Sequence, residues 1–364
     1  MTIRPRISHR AASSLALLFS GVVMAPPAAH AATPVTLTVA KSGGQYTTVQ
    51  AAVNAVPNGS ATPYVISISP GTYAERVTIP AGKAHLTLQG ASHNARDVVI
   101  TAADYNGETN PATGQPYGTE GSATVHVYAN NFTASWITFA NSFNKTKHPG
   151  VTGTQAVAIA MEGDRQTYTH DVFYGHQDTL LTWGASATKT MRQYVYDSQI
   201  QGDVDFIFGN GTLVIDRSTV NALNDGVYSK AYLTAPATPA EHEYGILIAN
   251  STVTTTLGTG NLYLGRAWRP STDSDPQVVI RETVLPPATN PAPWLGISGA
   301  TWSTGRYGEY HDSGPGASTA SSGTRPLLNS TTAASHTPAA YLVGTDGWNP
   351  VAPAAGSVPS INEG

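Results

Sequence analysis

The 364-residue chain contains no cysteine, which excludes a disulfide framework, a thiolate zinc site and a cysteine nucleophile together. Charge and aromatics are also scarce, at 12% and 8% of residues. No basic run is available to neutralise a phosphate backbone, so nucleic acid is not an expected partner. No stretch reaches the roughly 20 consecutive apolar residues that a membrane span requires. What the chain does have is 35 glycines and 40% hydrophobic residues. That mix is too apolar for disorder and too rich in glycine for a helical bundle, so a β-rich fold held by core packing and backbone hydrogen bonds is expected.

Arg4, Arg6 and Arg10 precede an apolar run from Ala11 to Ala25, and Ala29-His30-Ala31 follows as a small-x-small cleavage pattern. This predicts a secretory signal peptide over residues 1–31, an extracellular protein without membrane attachment, and a single domain over 32–364. Three of the 19 basic residues and none of the 23 acidic ones lie in that segment, so its removal takes the formal charge from −4 to −7.

One helix is predicted, Thr47 to Val56, with Thr47 and Gln50 at capping-box spacing and Val49, Ala52, Val53 and Val56 on one face. Short β-like runs follow, without regular hairpin signals. Among them a polar pair, a spacer and an apolar residue recur, ending at Phe173, Ile200, Val220, Val253 and Val284 with separations of 27, 20, 33 and 31 residues. A drifting period of this kind predicts a solenoid: an all-β, right-handed parallel β-helix with the helix as a short N-terminal cap. An all-β sandwich is the alternative on periodicity alone.

Coil register then brings two acids together. Phe173-Tyr-Gly-His-Gln-Asp178 and Ile200-Gln-Gly-Asp-Val-Asp205 align without a gap at a separation of 27 residues, glycine on glycine and aspartate on aspartate. Coils stacked about 4.8 Å apart would place Asp178 above Asp205. Two such carboxylates cannot both ionise easily, so one becomes an acid and the other a nucleophile. The same arrangement, about 5 Å apart, also suits a retaining glycosidase.

The surrounding blocks, Tyr174-Gly-His-Gln-Asp-Thr-Leu180, Gly202-Asp-Val-Asp-Phe-Ile-Phe-Gly209 and Leu264-Gly-Arg-Ala-Trp268, closely resemble signature blocks of pectin methylesterases. Gly71-Thr-Tyr-Ala-Glu75, Gln155-Ala-Val-Ala158, Tyr307-Gly-Glu-Tyr310 and Gly314-Pro-Gly-Ala317 follow the same family order. The resemblance implies a β-helix enzyme that hydrolyses methyl esters of homogalacturonan (pectin) and needs no metal or other cofactor. It implies Asp205 as nucleophile, Asp178 as general acid and base, Gln155 and Gln177 as oxyanion donors, and Arg266 as the partner of the nucleophile. Trp268 and Thr119 match substrate-contacting residues, and Trp183 and Tyr174 are further candidates. This chain departs from the common family pattern at Ala267, Ile159-Ala160 and His176.

Each implied role also has a physical reason. A carboxylate can attack an activated ester, and a protonated neighbour can assist a departing methoxide and later accept a proton from water. Amide donors stabilise the oxyanion, and a bidentate arginine keeps one carboxylate ionised. A pectate lyase or polygalacturonan glycosidase on the same fold is the alternative, and a noncatalytic adhesin a third reading. Asp203, two residues from Asp205, could join the pair as a calcium site if both side chains shared a strand face. The eleven histidines, His126, His170 and His176 among them, show no metal-ligand spacing. Trp294 and Trp302 suit either a sugar-facing surface or the core. A monomer is expected, with the Ser, Thr and Ala-rich stretch 313–340 returning along the solenoid.

Overall fold

The β-like runs pair with runs from the coils before and after them. A computed structural model describes residues 1–2, 33–224, 226 and 228–351; apart from its first two residues, the predicted signal peptide lies outside the described residues. Among the described residues, three parallel sheets of ten, eight and seven strands form as successive coils pair. The ten-stranded sheet runs from Val35–Val39 to Arg306–Tyr310, the eight-stranded one from Val77–Ile79 to Trp294–Gly296, and the seven-stranded one from Gly71–Ala74 to Thr252–Thr255. Among the described residues, antiparallel contacts are confined to isolated bridges. This is the predicted parallel β-helix, and its right hand is that of parallel crossover connections generally.

The sequence repeat is the register of one sheet. Phe173 pairs with Ile200, Ile200 with Val220 and Val220 with Val253, all of them buried in one continuous core. The last step slips by one residue: Val284 bridges Thr252 and is 42% exposed, whereas the neighbouring Leu285 is fully buried. Leu285, not Val284, is the inward residue of that coil.

The polar pairs of the repeat build a corner. His170, Asp197, Arg217, Asn250 and Glu282 have φ between 45° and 58°, which turns the chain between sheets and takes the next N–H out of the strand ladder. Side chains from the following coil satisfy it. Ile137 N–H donates to Asp171 (2.8 Å), Asp171 N–H to Ser198 Oγ (3.0 Å), Ser198 N–H to Ser218 Oγ (3.1 Å) and Ser218 N–H to Ser251 Oγ (3.1 Å). Thr283 and Asp312 continue the series. A buried N–H left unpaired costs about 1–3 kcal/mol, so short oxygen-bearing side chains are required there.

The predicted helix spans Val49–Ala55 and buries Val49, Ala52 and Val53 against the first strands. Its N-cap is Thr48, whose hydroxyl accepts from Ala51 N–H at 3.2 Å. No Thr47–Gln50 capping box forms, because the Glu75 carboxylate accepts from the Val49 and Gln50 N–H groups at 2.8 and 3.0 Å and the Gln50 side chain bonds Thr78 instead. At the other end, stretch 313–340 contains the short helix Ser330–Ala333 and runs into a second, Pro338–Val343. Tyr341 and Leu342 pack with Val214, Leu247 and Val279 of the ten-stranded sheet.

The corner ladder predicts the effect of a single atom. Ser218→Ala should lower stability by about 1–3 kcal/mol in urea unfolding, because the Ser198 N–H loses its acceptor inside the stack. A loss below about 0.5 kcal/mol would show that the ladder contributes nothing beyond an ordinary surface change.

Candidate active site

The aligned glycines and aspartates are two copies of one backbone turn. Asp178 and Asp205 have φ of 66° and 50°, a left-handed conformation that aspartate tolerates better than most residues. The turn folds the residue after each aspartate back over the glycine. A Cβ on Gly175 would lie 2.5 Å from Thr179 Oγ1, and one on Gly202 2.2 Å from Phe206 Cβ. The 27-residue register holds on both sides, with Val172 paired to Gln199 and Leu180 to Ile207, and Asp178 N–H donates to Val204 O at 3.1 Å. The pairing of strand Val204–Gly209 with Ala231–Pro236 shifts register between Val204 and Ile207. Asp205 sits in that irregularity, which aims its carboxylate out of the sheet while Phe206 stays in the core.

Both aspartates are only 7% exposed. They line a cavity of about 280 Å³ together with Gln155, Gln177, Arg266, Trp268 and Thr119, so seven of the nine predicted site residues come together. Phe208, Ala235 and Ile297 complete the wall. Strand register sets Ala160, Leu181, Phe208 and Ala235 in one row across the eight-stranded sheet, and this row forms an apolar cluster with Trp183 and Trp268. No motif marked that row, because outward apolar residues on a strand look like any other half-buried sheet.

Arg266 makes the two acids unequal. Its Nε donates to Asp205 Oδ1 at 2.8 Å and its terminal nitrogen Nη2 to Asp205 Oδ2, while the guanidinium lies 4.2 Å from the centre of the Tyr232 ring. Burial raises the Asp205 carboxyl above the usual carboxylate range, and the two bonds from Arg266 oppose that rise. Asp178 is raised well above its ordinary value, first by burial and then by the charge of Asp205, with Arg266 and a hydrogen bond from Gln177 opposing. Both carboxyls are thus raised, and the two bonds from Arg266 favour the charged form of Asp205 over that of Asp178.

The glutamine amides are held by their oxygens. Asn106 Nδ2 donates to Gln155 Oε1 at 2.8 Å, and Thr154 Oγ1 donates to Gln177 Oε1 at 3.1 Å. Neither Asn106 nor Thr154 belongs to a signature block, so sequence reading missed both.

Trp183 lies beside the cavity rather than in its lining. It stacks on Trp268 at 5.5 Å and faces an adjoining hollow of about 370 Å³ with Asn210 and Pro239. Tyr174 ends a strand of the seven-stranded sheet, and the corner at Gly175 separates it from the cavity. Asp203 does not join the pair as a calcium ligand. It is fully buried, with its oxygens 2.9 Å from Lys145 Nζ and 3.1 Å from His176 Nδ1. The alternation expected for i and i+2 fails because Asp205 sits at the register shift. Trp294 is buried against Tyr307.

Among the described residues, one group has its ligand atoms close enough to hold a metal: Glu120, His126 and Glu162, within 4.8 Å of one another. His126 Nε2 already meets Glu162 at 2.6 Å and its ring stacks on Tyr128. Glu162 comes from the next coil, and Glu120 from the short helix Gly118–Gly121 just before the strand of His126, a separation that matches no common metal-ligand spacing.

A pectinesterase family model matches residues 36–345. Probable pectinesterase 8 of Arabidopsis thaliana is 38% identical over 281 residues, covering 75% of this chain and 65% of that one. A pectinesterase of Ralstonia solanacearum is 35% identical over 320 residues, covering 76% and 78%. A crystal structure of a pectin methylesterase in complex with a hexasaccharide matches with a TM-score of 0.75 at 30% identity, covering 88% of this chain and 100% of that one. Fold, site geometry and family match agree: the chain belongs to the pectinesterase family of carboxylic ester hydrolases.

Proposed function

We propose that this protein hydrolyses methyl esters of homogalacturonan through an aspartyl acyl-enzyme, releasing methanol and leaving de-esterified pectin. The observation that carries this reading is the Arg266–Asp205 fork in one cavity with a buried Asp178, whose carboxyl burial pushes well above its ordinary value. An Asp205 oxygen attacks the ester carbon, and the carbonyl electrons move to an oxyanion beside the amides of Gln155 and Gln177. Collapse breaks the bond to methoxide, which leaves as methanol with the proton of Asp178. Asp178, now a carboxylate, takes a proton from water as that water attacks the anhydride. Cleavage returns Asp205 as a carboxylate, the galacturonate carboxylic acid is released, and Asp178 is again protonated. Every step uses groups of this chain and water, so no metal is needed.

Trp268, its stacking partner Trp183 and Thr119 form the surface that meets the sugar, with the row from Ala160 to Ala235 as its apolar floor. Among the described residues no helix is long and apolar enough to cross a membrane. A secreted enzyme that acts as a monomer on cell-wall pectin fits the signal-peptide pattern of residues 1–31. Family membership does not favour the pectate lyase or glycosidase alternative.

Asp205→Ala should abolish methanol release from methylated pectin while circular dichroism stays unchanged, with Asp178→Ala nearly as severe. Retention of more than about a tenth of the rate, a barrier change below roughly 1.4 kcal/mol, would remove Asp205 from the nucleophile's role.

The rate should be bell-shaped in pH. Below the working range Asp205 takes up a proton and loses its nucleophilic lone pair; above it Asp178 loses the proton that methoxide needs. Because burial raises both groups, the acid limb should lie above the ordinary carboxylate value of about 4. A rate flat from about pH 4 to pH 10 would exclude a pair sharing one proton.

Excess EDTA should leave methanol release from a short soluble oligomer unchanged. Loss on chelation, restored by calcium at fixed ionic strength, would overturn the metal-free mechanism.

A further inference from the structure

A primary amide presents an acceptor oxygen on one side and donor hydrogens on the other, so whatever holds the oxygen decides where the donors point. In this site both glutamine oxygens are held from outside the signature blocks. Asn106 grips Gln155 twice, through Nδ2 to Oε1 and through its backbone N–H to the Gln155 carbonyl, each at 2.8 Å. The Asn106 carbonyl in turn accepts from Gly118 N–H at 3.1 Å, directly before Thr119. Gly107 N–H donates to Gly153 O at 2.9 Å, and a Cβ on Gly107 would lie 2.2 Å from the Thr152 carbonyl, so the two segments lie in close contact. Thr154, adjacent to Gln155, sends its hydroxyl to Gln177 Oε1 at 3.1 Å. One short segment, 153–155, thus receives the hold on one amide and supplies the hold on the other.

We propose that Asn106 and Thr154 are positioning residues that fix both glutamine amides with their N–H donors toward the reacting carbonyl oxygen, making the oxyanion site rigid before substrate arrives. The proposal rests on the ester-hydrolase reading and adds to it the groups that orient its donors. Fixed donors matter because an oxyanion site works through preorganisation: an amide free to rotate presents its oxygen to the developing negative charge as readily as its nitrogen.

The test reverses each hold. Asn106→Asp replaces the donor by a carboxylate, which accepts from Gln155 Nε2 and turns Oε1 into the cavity. Thr154→Val keeps the shape and deletes the hydroxyl, and Thr154→Ser restores it. On a short methylated oligogalacturonide, Asn106→Asp should lower kcat by about 10²-fold, as loss of one oxyanion donor does, with KM changed by less than about twofold. Thr154→Val should lower kcat by about tenfold or more, again with little effect on KM, and Thr154→Ser should recover most of it. If Asn106→Asp does not fold, the valine and serine pair decides. Folded variants with kcat within about threefold of wild type would overturn the proposal. So would a serine variant as slow as the valine one, or a loss expressed in KM alone. A wild-type enzyme that releases no methanol would overturn the ester-hydrolase reading and this proposal together, whereas an active wild type with unaffected variants overturns the proposal alone.

Discussion

Adjacent coils of a parallel β-helix lie one strand spacing apart, about 4.8 Å, and everything in the site follows from which residues that spacing superimposes. The same left-handed turn occurs in two successive coils, with aspartate at its tip each time, so the fold forces two acids together in a setting that is 7% exposed. Left alone, such a pair would be symmetric and costly. Arg266 arrives from a third strand, Leu262–Ala267, and binds one member only. Identical side chains then sit in unequal settings: one faces the guanidinium, which favours its charged form, and the other is raised well above its ordinary value by burial and by its neighbour's charge.

The same superposition explains how much could be read from the chain beforehand. The aspartate pair was legible because its two turns are adjacent in sequence, of equal length and both built on glycine. Register was legible wherever an inward apolar residue repeated, from Phe173 through Ile200 and Val220 to Val253. It failed at Val284, where two neighbouring aliphatics, Val284 and Leu285, offered the same pattern and burial chose the second. The helix was found but its cap was placed one residue early, on Thr47 rather than Thr48, and the partner of the Val49 and Gln50 N–H groups, Glu75, comes from a later coil.

Contacts made across coils of unequal loop length left no local trace. Asn106 lies in an irregular loop 49 residues from the amide it holds, and Lys145 reaches Asp203 from a segment outside every signature block. That second pairing is why Asp203, despite its place beside the Asp205 turn, does not line the cavity with the other two acids. Tyr174 shows the converse: four residues from Asp178 in sequence, it belongs to the seven-stranded sheet and does not line the cavity, because the solenoid turns a corner between them. Closeness along the chain predicts closeness in a site only where no corner intervenes.

The central claim is that one proton resides on Asp178 while Asp205 is ionised in the resting enzyme. Infrared difference spectroscopy of the wild type against Asp178→Asn and Asp205→Asn, at neutral pH without substrate, reads this directly. The account predicts a protonated carboxyl C=O band in the wild type that disappears in Asp178→Asn. Absence of any such band in the wild type, or a band removed by Asp205→Asn and retained in Asp178→Asn, would contradict it.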